Sequence, residues 1–135
     1  MPDAALDIAT ALQTAGLGTL GTNIFISTVL DDESRGAVVP DAALFVSLTN
    51  GADPEPFLGG SDAEDIYRVN VQVRVRGARG VYNTPRQASL AVQEALHKAQ
   101  GAGYISWIAS VPIQLGPDDK ARQEWSINVL VTYQD

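Results

Sequence analysis

A strict alternation of apolar and polar residues runs from Tyr67 to Arg76. Every second side chain in this stretch is tyrosine or valine, and those between are arginine, asparagine or glutamine. This period of two indicates a β-strand with one buried face and one solvated face. A shift of one residue in register would carry three arginines into the core, at several kcal/mol each, so we expect the register to be fixed. The predicted solvated face carries Arg68, Arg74 and Arg76.

Two other segments have the apolar spacing of α-helices. The first is predicted from Ala4 to about Ala15, with Asp3 as its N-cap and Gly16 as its C′ residue. The second is predicted from Pro85 to about Gln100, with Thr84 as its N-cap and an inner stripe of mostly small residues, which suits a helix lying flat on a sheet. The inner face of the first helix is expected to hold Leu6, Ala9 and Leu12, with Ile8 as a further candidate.

Four further strands are predicted from β-branched and aromatic runs that lie between turn residues. They are Asn23 to Leu30, Ala43 to Thr49, Tyr104 to Leu115 and Gln123 to Tyr133. The nearly continuous apolar character of the run from Ala43 predicts burial on both faces or a central place in the sheet. The last two are expected to pair as an antiparallel hairpin, and Pro112, which has no backbone N–H, implies an edge position or a bulge.

These elements predict an α+β fold, with one domain over residues 1–135 and a mixed or antiparallel sheet of about five strands that carries two main helices on one face. Residues 50–65 are predicted to be a long polar loop, since they contain two prolines and three glycines. A loop of this length in a compact domain suggests a functional role. Its apolar residues Phe57 and Leu58 either anchor a partner or hold the loop against its own domain.

The charges of the chain fall into two blocks. Residues 31–65 contain nine acids and one base, whereas residues 66–86 contain five bases and no acid. Such a chain can present complementary patches to itself or to a copy of itself. The net charge of −7 argues against general nucleic-acid binding, which needs a basic surface to displace counterions.

The residues needed for catalysis or metal binding are sparse. The chain has no cysteine and a single histidine, His97, which we expect to be an ordinary surface residue. The acids of the turn at Asp31, Asp32 and Glu33 are consecutive, and consecutive carboxylates seldom converge on one cation. The remaining acids that could form a carboxylate pair lie in polar loops, where carboxylates are normally solvated. We therefore expect no enzyme activity, no metal and no cofactor.

No part of the sequence approaches the roughly 18 consecutive apolar residues of a membrane-spanning helix. The N-terminal stretch MPDAALD is acidic and lacks the basic region of a signal peptide. These features favour a soluble protein that is cytoplasmic when it is made, without contact with a membrane.

The order helix, strands, long loop, alternating strand, helix and hairpin resembles the tail terminator and minor capsid proteins of long-tailed bacteriophages. Three stretches carry the resemblance: YRVNVQVRVRG, NTPRQASLAVQEALHKAQ and PIQLGPDDKARQEWSINVLVTYQD. In the last of these a strand ends in Leu-Gly, a turn carries Asp119 and Arg122, and a strand reads Glu-Trp-Ser-Ile-Asn-Val. The resemblance covers roughly residues 43–134.

This resemblance implies a small α+β protein that forms a hexameric ring, caps the growing tail tube and then offers its other face to the head connector. Its partners would be copies of itself, the major tail tube protein and a connector or neck protein, while DNA only passes through the lumen. It would act by contact, assemble in the host cytoplasm and remain at the head–tail junction of the virion. Two alternatives stay open, namely another phage neck or head-completion protein and an unrelated binding module or enzyme.

The charge blocks and the apolar loop residues together give a set of candidate contact residues. We expect arginines of the central region to face acids from residues 31–65 of a neighbouring copy, because a ring joins two different surfaces of each subunit. The alternative is that both blocks are solvated or pair within one subunit. The candidates are Arg68, Arg74, Arg76, Arg79, Asp31, Asp32, Glu33, Phe57 and Leu58.

Overall fold

Two helices and eight strands make up the part of the chain that the structure, a computed structural model, describes: residues 3–27, 39–51, 55–56, 65–101 and 103–134. In chain order they are α1 (Ala4–Thr14), β1 (Ile24–Ile26), β2 (Ala43–Gly51), β3 (Glu55–Pro56), β4 (Asp65–Arg76), α2 (Asn83–Leu96), β5 (Ala99–Gly101), β6 (Tyr104–Ile108), β7 (Ile113–Pro117) and β8 (Gln123–Gln134).

All described strands belong to one sheet whose order is β1-β2-β4-β8-β6-β5, with β3 also beside β4 and β7 also beside β8. β1 and β2 are parallel, and the other pairs are antiparallel. The sheet is therefore mixed, and the predicted α+β fold class is confirmed. The described sheet has eight strands rather than about five, because β3 and β5 were not predicted and one predicted strand is divided into β6 and β7.

The alternating stretch forms β4 from its third residue to its last, as its pattern predicts. Its four valines, Val69, Val71, Val73 and Val75, are buried beneath the helices. β4 is in register with β8 on one side and β2 on the other, so that Val73 faces Ile127 and Val46. Burial of each such side chain contributes roughly 1.5–3 kcal/mol, which holds the three strands in this register. We call the face that carries these valines the inner face, and the opposite one the outer face.

α1 begins where the sequence predicts and packs on the inner face. The carboxylate of Asp3 accepts a hydrogen bond from the Leu6 N–H at 3.1 Å, and Gly16 has a left-handed φ of +82° beyond the last turn. Ile8 and Leu12 are buried in the core, but Leu6 is 41 % exposed, so its predicted inward position is wrong. The reason is geometric, because two residues turn the helix by about 200° and place Leu6 opposite Ile8.

α2 also packs on the inner face, with Val92 and Leu96 in the core. It begins at Asn83, two residues before the predicted start, and its N-cap is Tyr82 rather than Thr84. It ends four residues earlier than predicted. Lys98 has a φ of +58°, and the chain then enters β5, which pairs with β6. Neither helix is long and apolar enough to cross a membrane.

β2 is buried on both faces near its start, as predicted. Leu44 and Val46 join the main core, whereas Phe45 packs on the outer face in a small second cluster with Val39 and Phe25. The predicted loop 50–65 is partly strand, because β2 continues to Gly51, β3 covers Glu55–Pro56 and β4 already begins at Asp65. Phe57 and Leu58 lie outside the described residues.

The predicted strand from Tyr104 to Leu115 is divided into β6 and β7 around Pro112. Both parts pair antiparallel with β8, which confirms the predicted hairpin. A register shift between Gln114 and Gly116 adds a bulge to β7. The break follows from the missing N–H of Pro112, which cannot continue the ladder.

Candidate interaction surface

The outer face of the sheet carries the polar residues of β4 and β8. Arg74 is half-buried there, between Phe45 of β2 and Ser126 of β8, and Arg68 is half-buried opposite Thr132. The Gln72 side chain lies two residues from Arg74 on this face and donates to Ser126 Oγ at 2.9 Å. Both helices pack on the inner face, so the central part of the outer face has no described helix over it.

Arg76 does not lie on a solvated face, and this part of the sequence prediction is wrong. Its side chain is 1 % exposed. The guanidinium donates to the carbonyl oxygens of Pro40 and Asp41, each at 2.8 Å, and lies 5.0 Å from the ring centroid of Phe45. The segment before β2 therefore folds over the end of β4, and Arg76 holds it there.

Arg79 is 61 % exposed in the turn after β4 and forms an ion pair of 3.4 Å with Asp41. Asp41 belongs to the acidic block of the sequence and Arg79 to the basic block. At this place the two blocks pair within one subunit, as one of the open alternatives anticipated. A salt bridge this exposed contributes only about 0–1 kcal/mol to the stability of the fold.

Arg122 is the centre of a second set of ion pairs that sequence reasoning did not find. Its buried guanidinium contacts Asp41 at 3.1 Å and Asp118 at 2.8 Å. Asp41 and Arg122 are 81 positions apart, so no local spacing signals the contact. The cluster ties the segment before β2 to the turn between β7 and β8.

Asp118, rather than its neighbour Asp119, is the acid that organises this turn. One of its carboxylate oxygens accepts hydrogen bonds from the N–H groups of Lys120 and Arg122, each at 2.9 Å. Burial alone raises the pKa of Asp118, but these bonds and the Arg122 guanidinium outweigh it and hold the pKa below its usual value. The turn also requires a left-handed Ala121, with a φ of +58°.

Lowering the pH should destabilise this turn, and the loss of stability should depend on Asp118. Because the folded-state pKa is lowered, the stabilising contribution is fully present above the unfolded-state value of about 3.9 and disappears as the pH falls through the folded-state pKa. Asp118→Asn should cost about 1.5–3 kcal/mol at neutral pH and flatten the pH dependence of urea unfolding between pH 5 and 3. Asp119→Asn is the matched control, and equal effects of the two changes would contradict the assignment.

A second buried polar contact attaches α1 to the sheet. The Tyr133 hydroxyl donates to Asp7 at 2.5 Å, and burial together with this carboxylate raises the pKa of Tyr133. Burial and the charge of Asp7 also raise the pKa of Tyr104. An open groove of about 490 Å³ lies beside these residues and is lined mainly by residues of α1 and β5, with Ala95 of α2. Within the described ranges, no three histidine or acidic side chains are grouped in a way that could hold a metal ion.

The edge formed by β7 and the residues just before it exposes three large apolar side chains. Val111, Ile113 and Leu115 are 70 %, 45 % and 47 % exposed. Ile113 is in register with Ser126, which is in register with Arg74, so an apolar edge residue and an arginine share one row across the outer face. The sequence signal for this edge was the absence of any charge from Ala109 to Pro117.

The remaining predicted residues are only partly located. His97 is exposed at the end of α2, where its Nδ1 accepts from the Ile108 N–H at 3.3 Å. The acids Asp31, Asp32 and Glu33, like the loop pair Phe57 and Leu58, lie outside the described residues. The structure therefore brings together Arg76, Arg79 and Asp41, and it places Arg68 and Arg74 separately on the outer face.

One comparison with known proteins matches most of this chain. A family model described as bacteriophage tail terminator protein matches residues 11–135. The match spans all eight strands and α2, including the Asp118–Arg122 turn and the uncharged β7 edge. No match is found among curated proteins.

Proposed function

The chain belongs to the bacteriophage tail terminator family, and on this basis we propose that it forms a hexameric ring that caps the tail tube, stops its elongation and joins the tail to the head connector. A member of this family is a structural phage protein and a component of the virion tail. The observation that carries the proposal is the family match over residues 11–135.

The sheet is suited to assembly because its two edges differ in chemistry. At one edge, β7 has no charged side chains and exposes apolar ones. At the opposite edge, β1 exposes Ile26. A ring is built from heterologous contacts, in which one surface of a subunit meets a different surface of the next. A subunit with unlike edges is suited to such contacts.

The proposed partners are copies of the chain, the major tail tube protein and the connector or neck protein, met in the host cytoplasm during assembly. DNA passes through the lumen, where an acidic balance would limit adhesion. The candidate contact residues remain those predicted, except that Arg76 is omitted because its guanidinium is buried in its own subunit. They are Arg68, Arg74, Arg79, Asp31, Asp32, Glu33, Phe57 and Leu58.

Electron microscopy of the purified protein, with and without tail tubes, tests the proposal. We expect rings at tube ends, tubes that no longer grow, and a scattering mass of about six subunits of 14.3 kDa each. Tubes that stay uncapped and continue to elongate would refute it. Binding to filled heads in preference to tubes would favour the alternative, another neck or head-completion protein.

The loop between β3 and β4 should matter more for assembly than for folding. Changing Phe57 and Leu58 together to serine should leave the observed pairing of Glu55 and Pro56 with β4 in place. We expect a melting temperature within a few degrees of the wild type but no rings by light scattering. The matched control is Leu90→Ser on the exposed side of α2, which should still assemble. A serine variant that capped tubes normally would show that the loop is dispensable.

A further inference from the structure

We propose that Arg79 of one copy docks into the groove between α1 and β5 of the next copy, where its guanidinium pairs with Asp7. This inference rests on the proposed ring and identifies one of its subunit contacts. For Arg79 it names an acid of α1, rather than one from residues 31–65, as the partner.

The receiving groove is open and runs between α1 and β5, the strand at the end of the described sheet order. Its volume of about 490 Å³ lies within the range of roughly 300–1,000 Å³ that is common for binding sites. The wall that α1 provides consists of short side chains, which allow a backbone turn to approach closely. They are Asp7, Thr10, Ala11, Thr14 and Ala15.

Asp7 alone among the residues that line the groove is charged. Its carboxylate accepts the hydroxyl of Tyr133, and no base in the described part of the chain forms an ion pair with it. Lys98, the base nearest to β5 in the sequence, lies 5.6 Å from the ring centroid of Trp107 instead. The sequence contains no arginine or lysine before Arg35. The groove therefore fits a cation that comes from a distant part of the chain or from another copy.

Arg79 is such a cation, because it lies at the tip of a tight turn. The Val81 N–H donates to the Ala78 carbonyl oxygen at 3.3 Å, and Gly80 has a left-handed φ of +70°. The Gly80 N–H also donates to the Ala121 carbonyl oxygen at 2.9 Å, which attaches the turn to the residues before β8. Ala78, Arg79 and Gly80 are all exposed. The two small neighbours leave the arginine free to enter a groove in another molecule.

Arg79 can leave its partner in the same subunit without leaving an unpaired acid behind. It lies 3.4 Å from one carboxylate oxygen of Asp41, and the other oxygen is 3.1 Å from the buried guanidinium of Arg122. Asp41 therefore keeps a cation when Arg79 turns away. The pair that is given up is exposed and weak, whereas a pair inside the groove is shielded from solvent and stronger.

The turn and the groove lie at opposite ends of the sheet, so their contact requires a second copy. Tyr104 of the groove is in register with Tyr133, which is in register with Tyr67 of β4, whereas the turn follows Arg76 at the other end of β4. Tyr67 and Arg76 are nine residues, or about 30 Å, apart, which is far beyond the length of an arginine side chain. Each subunit can thus insert a turn into one neighbour and accept one from the other. This contact is heterologous and generates a ring when the rotation closes.

Charge exchange tests the pair directly. Arg79→Glu chains alone, or Asp7→Lys chains alone, should need at least about tenfold more protein to form rings by light scattering, because every contact then joins like charges. An equal mixture of the two should assemble near the wild-type concentration, since each contact in an alternating ring joins opposite charges. Arg86→Glu on α2 is the matched control and should assemble as the wild type does.

Cysteine cross-linking tests the contact without changing either charge, since the chain has no cysteine. The double variant Ala78→Cys with Thr10→Cys places both thiols at exposed positions. With a short bis-maleimide reagent it should give covalent dimers and larger species up to the ring, and a mixture of the two single variants should give dimers. The control pair Ala78→Cys with Leu90→Cys, on the exposed side of α2, should give neither.

The outcomes separate this inference from the proposed function. Asp7→Lys removes the acceptor of the Tyr133 hydroxyl, so its melting temperature is measured first, and the cross-link decides the question if that variant does not fold. Wild-type rings that cap tubes, combined with absence of the cross-link, would overturn the docking contact alone. A wild-type chain that neither forms rings nor caps tubes would overturn both. Normal rings in Arg79→Glu together with loss of tube capping in Asp7→Asn would assign the groove to a basic segment of another tail protein and overturn the inference.

Discussion

Replacing Val73 with aspartate should leave the protein insoluble or without a cooperative unfolding transition. Val73 is fully buried in β4, with Val46 and Ile127 beside it on the flanking strands. A carboxylate at this position would lose its hydration without gaining a partner, at a cost of roughly 4 kcal/mol or more. Because domains of this size are stable by only about 5–15 kcal/mol, this cost removes a large part of the free energy of unfolding. Urea unfolding and limited proteolysis measure the change.

The matched control is Gln72→Glu, one residue away on the outer face. Its side chain is half-buried and already contacts the Ser126 hydroxyl, which can donate to a carboxylate instead. We expect its stability to stay within about 1 kcal/mol of the wild type. If the two variants were equally stable, the assignment of the two faces would be wrong.

Replacing Arg76 with alanine should destabilise the fold by about 3 kcal/mol or more. The change removes two charge-assisted hydrogen bonds and leaves the carbonyl oxygens of Pro40 and Asp41 without these donors. It also opens space beside Phe45, over which the guanidinium lies. The expected result is a lower denaturant midpoint and earlier cleavage in the segment before β2.

Arg79→Ala tests the same cluster from its exposed side. Its ion pair with Asp41 is solvated, so we expect the free energy of unfolding to fall by about 1 kcal/mol at most. Equal losses of stability in Arg76→Ala and Arg79→Ala would indicate that Arg76 contributes through charge alone and not through its buried contacts. Arg76 is also unsuitable for tests of assembly, because a change there alters folding first.

The sequence predicted the faces of β4 but not everything that covers them. Alternation determines which side chains share a face, and the four inner valines follow it. It does not show which distant backbone folds over the outer face, and residues 40 and 41 cover Arg76 from 36 and 35 positions away. Arg76 was therefore assigned to solvent, while the half-buried position of Arg74 on the same face agrees better with the pattern.

The ends of elements were less predictable than their existence. The second helix continues its apolar spacing past Leu96, yet pairing of the next residues with β6 converts them to β5. Pairing energy of this kind is tertiary and has no local signature. In the candidate surface, the ion pairs of Arg122 were equally hidden, because their partners meet only after the sheet has formed.

The place of β8 in the sheet has a consequence for the timing of assembly. β8 follows every other described strand in the sequence, yet it pairs with β4 along one side and with β6 and β7 along the other. A chain still on the ribosome therefore lacks the strand that joins the two halves of the sheet, and β4 and β7 have no common neighbour until β8 emerges. The row from Arg74 through Ser126 to Ile113 cannot exist before that point, so the outer face of an unfinished chain is divided into two separate parts.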